Sequence, residues 1–360
     1  MPNDSKRMTN SRTRVDDEFF TLYEDIASEL PNYRAQLIGK HILCPCDWDE
    51  SLDEILVYAN EETVAASHLF AKGRTIKHVD ADRSKDRIER SIDIIKCNFV
   101  KFLVAHAEDY GIASIAVSGC NPATGAGVRF QDIDYSRYDL VITNPPFSQF
   151  REFIATLFEN DMQFLVIGPQ NAITYRDCFE HIRKNEMWLG YHYHLNGFTR
   201  PDGTVIPKND NLPRCCCWYT NLDVSYRHDK MILTQEYDPK RNPTYVNYNA
   251  IEVSKTLAIP CDYSGKIGVP ITFLQRYNPD QFEIIGSSRG LGRSMDEFAK
   301  KGTYVQGGVR FYLPRGDGTY RCLFDRIVIR KKKEVVRHER RHNSRRTLRA
   351  GSRRQNHQRR

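Results

Sequence analysis

Tyr-Asp-Leu-Val-Ile-Thr-Asn-Pro-Pro-Phe, residues 138–147, is an apolar run that stops on two prolines. Leu140, Val141 and Ile142 read as a buried strand. Pro145 and Pro146 end it, because neither has an N–H for a ladder. A stiff turn at the C-terminal end of a parallel strand is where open α/β sheets place their ligands. This turn sets the amide of Asn144, the free carbonyl of Pro145 and the ring of Phe147 side by side. The amide oxygen and the carbonyl can both accept hydrogen bonds from an exocyclic NH2, and the ring can stack on a flat base. Asn144, Pro145, Pro146 and Phe147 are therefore the candidate catalytic residues.

Strands and helices alternate on both sides of this turn. Residues 18–30 carry Phe19, Leu22, Ile26 and Leu30 at helical spacing. Ile42-Leu-Cys44 predicts a first strand running into Asp47. Residues 55–58 predict a short strand, and residues 61–95 a polar stretch of helix and loop. A helix is expected from Asn98, with its stripe on Phe99, Val100, Leu103, Val104 and Ala107 and Gly111 to end it. Residues 112–117 predict a strand, and residues 121–127 a Gly-containing loop. After the two prolines, Ser148 can cap a helix whose stripe is Phe150, Phe153, Ile154, Leu157 and Phe158. Residues 164–168 are the next strand, closed by Pro169-Gln-Asn171. This alternation predicts a doubly wound, mostly parallel α/β sheet.

Beyond Gly190 the helical stripes disappear. Tyr, Asn, Arg, Gly and Pro become common, as in Tyr-His-Tyr-His-Leu-Asn-Gly (191–197) and the Gly/Ser/Arg-rich stretch 286–308. Planar amides and guanidinium groups mixed with aromatics suit base edges and phosphates. The division expected is a loose N-terminus (1–16), a first domain (17–190), an irregular α+β region (191–329) and a basic tail (330–360).

Composition narrows the class. At 360 residues, 40% hydrophobic and 28% charged, the chain reads as globular and soluble. No apolar stretch approaches bilayer length, and no secretory signal opens the chain. The ten cysteines then point to a reducing cytoplasm. Cys44-Pro-Cys46 and Cys215-Cys-Cys217 lack the two-residue spacing of a zinc knuckle, so no metal is expected. The net charge of +7 is unevenly placed. Residues 330–360 hold 14 Lys or Arg against 2 Asp or Glu, which leaves 39 basic and 44 acidic side chains elsewhere, a net of −5. The tail has almost no apolar residues, so disorder and non-specific phosphate contact are expected of it.

Longer strings carry a family resemblance. Leu43-Cys-Pro-Cys-Asp47, Asn98-Phe-Val-Lys-Phe102, the 139–148 segment with Gly168-Pro-Gln-Asn-Ala-Ile-Thr-Tyr175, and Ile259-Pro-Cys-Asp-Tyr-Ser-Gly265 with Gly268-Val-Pro-Ile-Thr-Phe-Leu274 are similar to DNA adenine N6-methyltransferases of the EcoRI type. The resemblance implies a Rossmann-like catalytic domain, a target-recognition half, S-adenosylmethionine (SAM) as methyl donor, and double-stranded DNA as substrate. It implies a bacterial or phage restriction-modification enzyme in the cytoplasm, and leaves the oligomeric state open. Cofactor contacts are expected from Asp47, Asn98, Phe99, Asp132 and Asn144. The chain departs from many SAM enzymes in lacking a Phe-x-Gly-x-Gly loop, and shows no acid directly after Val117. Competing readings are a non-catalytic DNA-binding or accessory protein, or an amino-methyltransferase acting on cytosine N4, RNA or protein glutamine.

Overall fold

The structure, a computed structural model, describes residues 19–47, 95–119, 128–200, 203–207, 210, 215–305 and 308–332. The expected strand at 55–58, the 61–95 stretch up to residue 94, the 121–127 loop, residues 1–16 and the tail from 333 onward lie outside the described residues.

A short strand β1 (Phe20–Thr21) precedes helix α1 (Tyr23–Glu29), so the stripe predicted from residue 18 begins as extended chain. Strands β2 (His41–Cys44), β3 (Ser114–Val117), β4 (Leu140–Thr143) and β5 (Gln163–Pro169) lie parallel in the order β3-β2-β4-β5. The sheet continues with β9 (Cys216–Thr220), antiparallel to β5, and closes on β6 (Trp188–Leu189), antiparallel to β9.

Both faces are covered, which is why these strands read as continuous apolar runs rather than alternating ones. Ile42, Leu140, Ile142, Leu165 and Ile167 point into one core with α1 and helix α2 (Asn98–His106). Leu43, Val141 and Val166 point into the other, with α3 (Phe150–Glu159) and α4 (Arg176–Arg183). Gly111, at φ +61°, sits in the left-handed turn after α2, where a side chain would be strained. Ser148 does not cap α3. The chain after the prolines makes a 3₁₀ turn over Phe147–Gln149, and α3 starts one step later without a side-chain cap.

The change of composition at Gly190 does not coincide with the edge of the sheet. Residues 188–189 and 216–220 complete the central sheet, and β7 (Gly197–Thr199) pairs with both β1 and β8 (Val205–Pro207). A second sheet follows, in the order β10 (Ile251–Glu252), β11 (Ile267–Pro270), β15 (Arg326–Lys331), β12 (Phe282–Ser287). A hairpin, β13 (Tyr312–Pro314) with β14 (Tyr320–Cys322), stands beside it. Apolar residues of β11, β12 and β15 join the same buried cluster as α3 and α4, so the two sheets share a core.

The expected tail boundary at 330 needs correcting. Arg330 and Lys331 belong to β15, which is bonded on both sides, to β11 and β12. Arg330 pairs with Glu283 at 2.7 Å. The Lys331 ammonium donates to the carbonyl of Pro260 at 3.0 Å.

Candidate active site

In the central sheet β3 lies to one side of β2 and β4 to the other. The C-terminal ends of β2 and β4 thus frame the point where strand order reverses, the usual ligand crevice of an open sheet. Asp47 follows β2 and Asn144 follows β4. The structure brings them together there. Thr143, immediately before Asn144, donates its hydroxyl to the Asp47 carboxylate at 2.5 Å. Asp47 is 6% exposed and also accepts from the Cys97 thiol at 3.4 Å. Burial, reinforced by the Asp47 charge, pushes the Cys97 thiol well up, so it stays protonated and can donate. Cys97 leads directly into α2, which sets Asp47 at the positive end of that helix.

Asn144 is oriented by a residue far away in sequence. Its Nδ2 donates to the carbonyl of Phe19 at 2.8 Å. A carbonyl can only accept, so the amide must present its NH2 to Phe19 and turn its oxygen the other way. That oxygen, Oδ1, is buried and has no hydrogen-bond partner among the described residues. A buried acceptor left unpaired costs about 1–3 kcal/mol. The carbonyl of Pro145 likewise accepts no hydrogen bond among the described residues, while that of Pro146 receives the N–H of Gln149 at 3.0 Å. Two adjacent acceptors thus stand open at the strand end.

An aromatic wall borders them. Phe147 is half-buried and meets Phe198 in a T-shaped contact at 6.0 Å. Phe198 in turn meets Phe19 at 5.9 Å. β1 holds this wall in place by pairing Thr21 with Phe198. Asn98, at the start of α2, donates its amide to the carbonyl of Thr21 at 2.7 Å. Phe99, by contrast, is fully buried, edge-on to Trp218 at 5.7 Å. Asp132 is exposed on a turn and pairs with Arg129 at 3.0 Å.

Two buried carboxylates on α1 fix the chain that leads to Phe198. Glu29 accepts the Tyr33 hydroxyl at 2.7 Å, the N–H of Tyr191 at 2.8 Å and the N–H of His192 at 2.9 Å. Asp25, four residues earlier on the same helix face, accepts the N–H of Asn196 at 2.9 Å. Gly190 has to be glycine, since a Cβ there would come within 2.2 Å of the Glu29 carboxylate. The imidazole of His192 also bonds Glu29, at 2.6 Å, which raises its pKa. None of these groups was given a positioning role from the sequence, which read Phe19 only as part of a helical stripe. Phe19, Asp25 and Glu29 reach their partners across more than 120 residues, and no local spacing signals that.

Comparison with known proteins closes the picture. The family model described as "Adenine-specific methyltransferase EcoRI" matches residues 7–333. Type II methyltransferase M.EcoRI of Escherichia coli is 35% identical over 306 residues, covering 80% of this chain and 90% of that protein. Type II methyltransferase M.MpnI of Mycoplasma pneumoniae is 25% identical over 362 residues, covering 89% and 96%. Type II methyltransferase M.MgeORF184P of Mycoplasma genitalium is 28% identical over 284 residues, covering 74% and 82%. No solved structure matches the chain.

Proposed function

The chain belongs to the EcoRI family of adenine-specific methyltransferases, and from that premise we propose that it moves a methyl group from SAM to the N6 amine of adenine in a specific duplex DNA sequence. The observation that carries this reading is the unpaired amide oxygen of Asn144, aimed by Phe19 and set beside the open carbonyl of Pro145. An exocyclic amine has two N–H groups, and two acceptors await them.

The chemistry follows from that pairing. The lone pair of the adenine amine is delocalised into the ring. Hydrogen bonds from its N–H groups to Asn144 and Pro145 favour the tetrahedral nitrogen, in which the lone pair is localised and can attack. Those bonds strengthen as positive charge develops on nitrogen, so they act mainly on the transition state. SAM supplies a methyl group already activated by its sulfonium. Phe147 offers its ring to the extruded base, returning part of the few kcal/mol that flipping costs. Asp47 fits a cofactor role. It is a buried carboxylate at the strand-order reversal, held beside the Asn144 turn by the Thr143 hydroxyl. Asn98 and Asn144 border the same crevice. For Asp132 and Phe99 the geometry offers less support, since one faces solvent and the other the core.

We read the central sheet as the doubly wound, Rossmann-like sheet of a SAM-dependent enzyme, and the region beyond it as the part that reads DNA. A restriction-modification role in a bacterial or phage-infected cytoplasm fits the named relatives. No helix among the described residues is long and apolar enough to cross a membrane.

The test is transfer of labelled methyl from SAM to unmodified genomic DNA by the full chain, with modified bases mapped afterwards. N6-methyladenine at one recurring sequence is expected. Folded, SAM-bound protein that leaves DNA unlabelled, or labels cytosine, RNA or protein instead, would sink the reading.

A further inference from the structure

The chain between β6 and β7 carries polar groups that the chemistry above leaves unused. It crosses the C-terminal edge of the central sheet. Gly190 still bonds β9, its N–H on the carbonyl of Trp218 at 3.0 Å. The chain then passes Gln170, the residue that follows β5, and reaches Phe198, whose ring meets Phe147 beyond β4. His192, His194 and Asn196 are exposed, while Tyr193, Leu195 and Gly197 are buried. The alternation turns the first three outward from the edge. Four residues take the chain from His194 to Phe198, so their Cα atoms lie no more than about 14 Å apart.

His192 and Asn196 are tied down to the buried Glu29 and Asp25, at 2.6 and 2.7 Å. Backbone N–H groups of the same chain meet both carboxylates from above. His194 bonds Gln170 instead, and that bond fixes its tautomer. The Gln170 amide nitrogen faces the carbonyls of Tyr193 at 3.1 Å and Cys216 at 3.3 Å. Carbonyls only accept, so this nitrogen is the NH2 donor. The His194 Nδ1, 3.0 Å from it, must therefore accept. In the neutral imidazole the proton then sits on Nε2. The ring also stands edge-on to Tyr193 at 4.8 Å. His194 Nε2 has no hydrogen bond among the described residues, so an oriented donor stands open beside the Asn144–Phe147 turn.

We propose that His194 anchors a backbone phosphate of the target strand beside the extruded adenine, through a neutral Nε2–H donor held by Gln170. A duplex that delivers a base to Asn144 presents the backbone of that strand to this edge. A single donor discriminates poorly between bases, which are told apart by paired contacts, but it suits a phosphate oxygen and fixes register. Being neutral, it adds geometry without long-range attraction. This rests on the DNA methyltransferase reading and adds the residue that sets the strand against the catalytic edge.

The experiment measures duplex binding and single-turnover methyl transfer by full-length wild type, His194→Phe and His194→Gln, at a pH well above the ordinary histidine range. The duplex carries the mapped site, and a series of copies each replaces one phosphate near the target adenine by an uncharged methylphosphonate. Failure of wild type to methylate the unmodified duplex would overturn both this proposal and the reading beneath it. His194→Phe keeps a ring against Tyr193 and removes the donor. Its Kd should rise by about tenfold or more, the scale of one hydrogen bond to a charged group. Transfer within the saturated complex should stay within about twofold, as for a contact made equally before and during the reaction. The slope of log affinity against log salt should hold, because a neutral donor releases no counterion. One methylphosphonate position should weaken wild type and cost His194→Phe nothing further. His194→Gln, with an amide N–H, should recover part of the loss. Equal affinity of wild type and His194→Phe would overturn the proposal. So would additive losses at every methylphosphonate position, which would place the contact elsewhere than on a phosphate, or a slower transfer at unchanged affinity, which would mark a role in the chemistry itself.

Discussion

The two sheets of this protein are held together in different ways. The central sheet is apolar on both faces. Leu140, Val141, Ile142, Leu165, Val166 and Ile167 are all essentially inaccessible, and regular ladders satisfy their backbones. The second sheet lies against buried polar side chains. Glu252 and Arg326 pair with side chains 5% and 11% exposed, and the Tyr245 hydroxyl bonds the same carboxylate. Asn247 is fully buried. It donates to the carbonyls of Arg293 and Arg310 at 2.8 and 2.7 Å, and accepts the N–H of Tyr312 at 3.2 Å. The difference has a simple cause. Irregular chain cannot satisfy its own amides and carbonyls, so side chains must do it from inside. The central sheet presents a rigid edge for chemistry, and the second sheet presents irregular segments of fixed shape.

That contrast can be broken most sharply at Glu252. Glu252→Ala leaves the Arg326 guanidinium buried without its carboxylate, which should cost about 3–5 kcal/mol in urea unfolding. A loss below about 1 kcal/mol would show the pair to be dispensable and the contrast overstated. Asn144→Ala should act in the opposite manner. On the proposed reading it removes one transition-state acceptor, so the methyl-transfer rate should fall by at least about 10²-fold, near 2.7 kcal/mol in the barrier. Stability should change by less than about 1 kcal/mol, since the bond to Phe19 is lost together with an unsatisfied oxygen. Near-normal turnover would remove Asn144 from the chemistry. The smallest effect is expected from the tail. A cut after Arg330 would sever β15, so the informative truncation comes after Lys332. It should leave the thermal midpoint and the methylated sequence unchanged. Residues 333–360 hold 11 Lys or Arg against 2 acids, so DNA affinity at low salt should drop and its salt dependence flatten. An unchanged salt slope would show that the tail does not touch DNA.

How much could be read in advance divides along the same line. The apolar runs of β2, β4 and β5 and the stripes of α2 and α3 were legible, because burial on both faces leaves a local mark. That Asp47 and Asn144 each follow a strand was legible too; that β2 and β4 are neighbours, which brings the two ends together, was not, because strand order is not written in either run. The entry of β9 into that sheet was not. Cys216-Cys-Trp-Tyr-Thr220 lies beyond a change of composition, and its place is set by antiparallel pairing with β5 across about fifty residues. Nor was the role of Phe19 legible, since a backbone carbonyl has no sequence signature. Ser148 met the pattern for a cap, yet the prolines before it imposed a 3₁₀ turn and moved the helix start past it.

β15 also bears on the order of folding during synthesis. It is the inner strand of its sheet, bonded to both β11 and β12, yet it follows both in the chain. Neither partner can complete a ladder until residues 326–331 have been made and released. The parallel sheet, whose strands end at Thr220, has all its parts more than a hundred residues earlier. A growing chain can therefore assemble its central sheet first, while β11 and β12 wait with open edges that invite misassociation. Slow synthesis or premature termination should then yield polypeptides with a formed central sheet and an aggregation-prone second half.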